Sequence, residues 1–139
     1  MNAKKYLNQV KKLDKMINNK QIELEQMYTL ATNVTVSTDN ERVQTSGSKD
    51  KVGDTVSKIV DLQNEINNMI DEFVDKKQEI IKTIEKLSNA DEYDVLHKHY
   101  IQNKNWVQIA EDMSYSYQGI HKIHNRALKE VQMILNSIQ

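Results

Sequence analysis

The chain has 139 residues, the size of one domain or of a small domain with an extended appendage. It contains no Pro and only three Gly, at Gly47, Gly53 and Gly119, too few turn signals for an all-β fold, and so the expected class is all-α. With no Cys it has neither disulfides nor thiolate zinc sites, which agrees with a reducing cytosol, and a net charge of −1 excludes a strongly basic nucleic-acid coat. The apolar runs fall far short of the ~20 residues that span a bilayer, and no apolar core follows Lys4, Lys5, Lys11 and Lys12, so no membrane association and a cytoplasmic location are expected. Hydrophobic residues make up 38% of the chain, typical of exposed or self-associating helices.

Residues 1–30 read as one helix. Tyr6, Val10, Leu13, Ile17, Leu24 and Met27 recur at spacings of three and four, with a step missed at Lys20. Residues 31–51 lose that pattern in a run of Ser, Thr, Asn and Asp and read as a polar loop. The strongest periodicity follows: Val52, Val56, Ile59, Gln63, Ile66, Ile70, Phe73, Lys77, Ile80, Ile84 and Leu87 alternate steps of four and three. Such a seam predicts a coiled coil, with the first helix folded back as an antiparallel partner or with a second chain. Gln63 and Lys77 interrupt it, either to set its register or as a solvated edge. Residues 1–89 are thus expected to form a helical hairpin for self-association or partner binding, and residues 90–139 a separate domain.

Ser88, Asn89, Ala90 and Asp91 end the seam helix and cap the next, whose first turn is acidic. Three helices are predicted, at about residues 91–101, 106–113 and 117–138, with Asn105 and Ser116 as N-caps of the second and third. A short helix, a three-residue turn and a longer capped helix is the helix-turn-helix layout, whose second helix enters the DNA major groove. Leu96, Ile109, Ala110, Met113, Ile120, Ile123 and Leu128 are assigned to the core. Local net charge in residues 91–139 is −1, from five bases and six acids, so DNA binding requires a local face.

The segments Asp94-Val-Leu-His-Lys-His-Tyr-Ile101, Asn105-Trp-Val-Gln-Ile-Ala-Glu-Asp-Met113 and Ser116 to Leu128 resemble sigma-70 region 4. There an aromatic residue stands beside an Ile-Ala pair in the first helix of the motif, and Arg-Ala-Leu recurs late in the recognition helix, as Arg126-Ala127-Leu128 do here. The whole chain, including Arg42-Val-Gln-Thr-Ser46 and the segment from Val52 to Leu62, also resembles ArpU-like late regulators of phages and prophages in Gram-positive bacteria. The resemblance implies transcriptional regulation at phage promoters, through double-stranded DNA, RNA polymerase or both. Two departures stand out. Ser114 occupies a turn position where that family often has Gly, and Gly119 lies within the recognition helix, either to allow close approach to DNA or as a tolerated exposed residue.

The buried stripe of the last helix, Ile120, Ile123 and Ala127, leaves Tyr117, Gln118, His121, Lys122, Asn125, Arg126 and Lys129 on its flanks and opposite face. By the resemblance, Tyr117, Gln118 and Lys122 match base-reading positions, with His121 nearby. Asn125, Arg126 and Lys129 lie further along, where phosphate contact is expected. His97, His99, His121 and His124 are read as surface residues, since no carboxylate or thiol completes a metal set, and no cofactor is expected. Tyr115 is expected to be partly packed. No phosphate-binding glycine loop and no nucleophile–base pair is present, so the chain is not read as an enzyme. The alternatives are a small terminase-like DNA-packaging recognition protein and a coiled-coil adaptor that contacts protein only.

Overall fold

The computed structural model describes the backbone of residues 1–41 and 46–138, and side chains for residues 1–33 and 52–138. It is all-α. Two long helices, α1 (Ala3–Glu41) and α2 (Ser46–Ile84), pack as an antiparallel hairpin. Three shorter elements follow: α3 (Ala90–Leu96), which runs on into a π-helical turn (His97–Ile101), then α4 (Trp106–Met113) and α5 (Tyr117–Ile138). Among the described residues, no helix is long and apolar enough to cross a membrane.

The polar segment expected as a loop over 31–51 is helical to Glu41 and again from Ser46, while residues 42–45 lie outside the described residues. The reason is energetic. Thr, Asn, Val and Ser each cost only tenths of a kcal/mol against Ala in a helix, and residues 31–41 contain neither Gly nor Pro. A polar composition therefore did not mark the end of the helix.

The chain divides into two compact units, one of Met1–Asp14 with Phe73–Gln139, the other of Lys15–Glu72. The boundary expected at residues 89–90 separates helices, not compact units, because the start of α1 and the end of α2 share a core with α3 and α5. In that core Leu7, Ile80, Ile84, Leu96, Tyr100, Ala127 and Val131 are all at most 1% exposed. Leu7 is absent from the sequence stripe, yet with Tyr6 and Ala3 it broadens the apolar face of α1 where two neighbours must be met. Polar groups reinforce the same junction. The Tyr6 hydroxyl donates to Glu79 Oε2 at 2.9 Å and lies 2.9 Å from Thr83 Oγ1. The Ala3 N–H, unpaired within the helix at its first turn, donates to Gln132 Oε1 of α5 at 2.8 Å, and Asn2 Oδ1 accepts from Lys5 N.

In the unit of residues 15–72, Ile17 of α1 and Ile59, Leu62 and Ile66 of α2 are buried, with Leu24, Met27 and Met69 half-buried. Lys20, where the apolar step is missed, bridges to Glu65 at 3.3 Å. Gln63, one of the two interruptions of the seam, donates from Nε2 to the Tyr28 hydroxyl at 2.6 Å. The other, Lys77, lies in the first unit with its Nζ 5.6 Å from the Phe73 ring centroid.

A fragment starting at Ser88 lacks Leu7, Ile80 and Ile84 and leaves Leu96, Tyr100, Ala127 and Val131 facing water. It should lose the cooperative thermal transition that the full chain shows by circular dichroism. In the full chain, Leu7→Ala should cost about 2–5 kcal/mol in urea unfolding.

Candidate nucleic-acid interface

The starts of the three C-terminal helices are set by local caps. Asn89 caps α3, its Oδ1 accepting from Glu92 N at 3.0 Å. Asn105 caps α4 in a full capping box: Asn105 Oδ1 accepts from Gln108 N at 2.9 Å, and Gln108 Oε1 accepts from Asn105 N at 3.1 Å. At the other end Tyr115 N donates to Ala110 O and Ser114 N to Glu111 O, a Schellman ending with Ser114 in the left-handed region at φ 59°. Ser116 then caps α5, Oγ accepting from Gly119 N at 2.9 Å. Both helices start where the sequence predicted them.

Between the helices, Val95, Ile109, Ala110, Ile120 and Ile123 form a second small core, with Trp106 and Met113 packed on it. The assigned core residues are all buried except Met113 and Leu128, which are half-buried. α5 spends Ile120, Ile123, His124, Ala127 and Val131 on the interior. Its other side carries Tyr117, Gln118, Lys122, Asn125, Arg126 and Lys129, all exposed, and half-buried His121 at the margin. The seven residues singled out in the sequence thus lie along one side of a single rigid helix. Among the described residues, Lys122, Arg126 and Lys129 form no salt bridge, whereas Lys98 is paired with Asp94 (3.1 Å) and Lys104 with Asp112 (2.7 Å). Within residues 90–138, the cations outside a described salt bridge are therefore those of α5.

A groove of about 450 Å³ opens beside Lys122, Asn125 and Arg126, walled by Tyr115, Gly119 and Ile123. Tyr115 makes this wall. It is 42% exposed, and its hydroxyl donates to Asp91 Oδ2 at 2.5 Å, tying the turn to the first turn of α3 and raising the phenol pKa. Its ring also explains Gly119: a Cβ there would stand 3.1 Å from Ser116 Oγ and 3.7 Å from Tyr115 Cδ1. Gly119 is thus crowded by its own cap and by the turn tyrosine. Neither access for DNA nor open exposure is needed to account for it.

The histidines differ most from the sequence reading. His97, His99 and His121 are half-buried, and His124 is buried at 6% exposure because it falls on the inner stripe of α5. His124 Nε2 and the Tyr100 hydroxyl share a hydrogen bond of 2.8 Å. Trp106 stacks on His99 (centroids 3.9 Å apart) and meets His124 at 4.6 Å and His121 at 4.9 Å, and His121 in turn meets Tyr117 at 4.4 Å. This ring cluster braces the N-terminal half of α5 against α4. The protonation of His99 follows from its partners. Lys11 Nζ can only donate to its Nε2 (3.3 Å) and Lys104 O can only accept from its Nδ1 (3.1 Å), so the ring is neutral with its proton on Nδ1. Burial, and then the positive charge of Lys11, lowers its pKa accordingly. Burial, followed by the neighbouring His99 and His121, pushes His124 down to about 4, and burial pushes the Tyr100 hydroxyl up to about 12. The signal that could have found this was present: His124 lies at i+4 from Ile120 and i−3 from Ala127, within the apolar stripe.

A protein-family model described as "Protein of unknown function (DUF1492)" matches residues 33–132. No curated protein and no solved structure matches the chain.

The fold favours neutral His124, whereas in the unfolded chain it protonates near 6.5. Its contribution is therefore complete above about pH 6.5 and is lost as pH falls toward 4, by about 3 kcal/mol in all. His97 and His99 act in the same direction. Melting temperature should be nearly flat above pH 7 and fall steadily between pH 6.5 and 4.5. At the turn, Ser114→Gly removes a left-handed L-residue and should stabilise the chain by about 0.5–1 kcal/mol in denaturant unfolding.

Proposed function

We propose that this chain, which belongs to the DUF1492 family, is a DNA-binding regulator of transcription that inserts α5 into the major groove. One observation carries the reading. α5 has a fully spent inner face and an outer face with three cations outside any described salt bridge, next to amide and aromatic side chains able to read base edges. The resemblance of residues 94–128 to sigma-70 region 4 supports the same role, and the likeness to ArpU-like regulators points to phage promoters, with RNA polymerase as the protein partner it implies. Function here is binding; no chemical step is assigned.

Tyr117, Gln118, His121 and Lys122 lie in the first two turns of α5 and enter the groove most deeply. Gln118 suits adenine and Lys122 guanine, each contact contributing about 1–3 kcal/mol of discrimination. Asn125, Arg126 and Lys129 meet phosphates. With about two phosphates neutralised per module, by Arg126 and Lys129, the logarithm of affinity should fall with the logarithm of salt concentration at a slope of about −2 per module.

Selection from a random duplex library, followed by mobility shift on the selected duplex and on an unrelated one, tests this. Gln118→Ala with Lys122→Ala should erase the preference between the two duplexes and leave helicity unchanged. Arg126→Ala should weaken binding to both and reduce the salt slope by about one. If the double variant binds the selected duplex as tightly and selectively as the parent, α5 does not read DNA.

A further inference from the structure

Two apolar stripes run side by side on α2. Ile59, Leu62 and Ile66 are 7%, 8% and 4% exposed and form the stripe turned inward in the unit of residues 15–72. Next to them Val56, Val60 and Ile70 keep 50%, 47% and 37% of their surface in water. With Gln63 and Asn67 these fall at steps of four, three, four and three, and one further step of four along the same continuous helix reaches Val74, 44% exposed. That is the spacing of a coiled-coil a/d seam. The periodicity that reads as one seam in the sequence is therefore two: one is buried within the chain, and the apolar members of the other stay exposed among the described residues.

We infer that this outer seam pairs with the same seam of a second copy of the chain, in antiparallel orientation. The order Val56, Val60, Gln63, Asn67, Ile70, Val74 is symmetric about residue 65. A twofold axis there sets Val56 against Val74, Val60 against Ile70 and Gln63 against Asn67, and such self-complementarity is what an isologous interface requires. The central pair fixes the register. Gln63 already donates to Tyr28, so its carbonyl oxygen faces the amide N–H groups of the partner's Asn67, and a slip of one heptad would set amides against Val. Electrostatics select α2 over α1. Ser57, Asn64, Asp71 and Gln78 flank the seam and hold one charge between them, whereas α1 exposes Lys4, Lys5, Lys12 and Lys15, which would repel their counterparts. The seam is roughly 27 Å long, about two and a half heptads, and two of its six positions are amides, so the dimer is weak and concentration-dependent. It uses none of the residues assigned to DNA and is independent of that reading.

The chain has no Cys, so introduced cysteines report the interface cleanly. The Val60→Cys/Ile70→Cys variant should oxidise to a disulfide-linked dimer. Val60→Cys alone should stay unlinked, because antiparallel pairing separates the two residue-60 positions by roughly 15 Å, beyond the ~7 Å reach of a disulfide. Sedimentation of the parent at submillimolar concentration should show dimer. Val60→Lys/Ile70→Lys, changed only at exposed positions, should remain as helical as the parent and sediment as monomer. Self-linking by Val60→Cys, no linking by the double cysteine variant, or a dimer that survives the two lysines would each overturn the inference.

Discussion

The burial of one face of α5 against the base of the hairpin is the contact on which the rest of this molecule depends. A 22-residue helix is marginal in water by itself, and its persistence comes from an amphipathic face meeting a complementary one. Here that complement comes from three separate segments of the sequence: Leu7 from the start of α1, Ile80 and Ile84 from the end of α2, and Leu96 and Tyr100 from α3 and the π-turn. Because the inner face of α5 is committed at Ile120, Ile123, His124, Ala127 and Val131, the orientation of its outer face is fixed as well. The backbone bond from Ala3 to Gln132 locks the last third of the helix to the first turn of the chain.

The ring cluster supplies the corresponding constraint at the other end of α5. Trp106 stacks on His99 and meets His121 and His124 at an angle, and the Tyr100 hydroxyl shares a hydrogen bond with His124 Nε2. A histidine so enclosed is a neutral polar core residue. Its effect is to make the junction between α4 and α5 sensitive to acid, while near neutrality it adds no charge to the outer side of α5. Positive charge on that side comes from Lys122, Arg126 and Lys129, and so a chain with a net charge of −1 can still present a local cationic surface.

The helices that carry strong local signals were legible in the sequence, and the contacts that join distant segments were not. Asn105, Ser116 and the apolar stripe of α5 identify the turn and the two helices beside it to the residue, because caps and periodicity act within four residues. The buried His124 was misread from its residue type although its position on the stripe argued for the interior. Leu7 was missed because a one-partner stripe was sought in a helix that meets two partners. The polar run over 31–41 was taken for a loop because composition was weighed above the absence of breakers. Similarly, one heptad seam on α2 concealed two, since a period of three and four cannot distinguish adjacent stripes on a helix that is apolar over much of its circumference.

The central claim is that the outer face of α5 meets DNA. Backbone amide shifts of the isotope-labelled full chain, followed by NMR while a short duplex from library selection is titrated in, test it most directly. The account predicts that the largest perturbations fall between Tyr117 and Lys129 on the outer side of α5, with α2 unaffected. Perturbations confined to the hairpin, or none at saturating duplex, would contradict it.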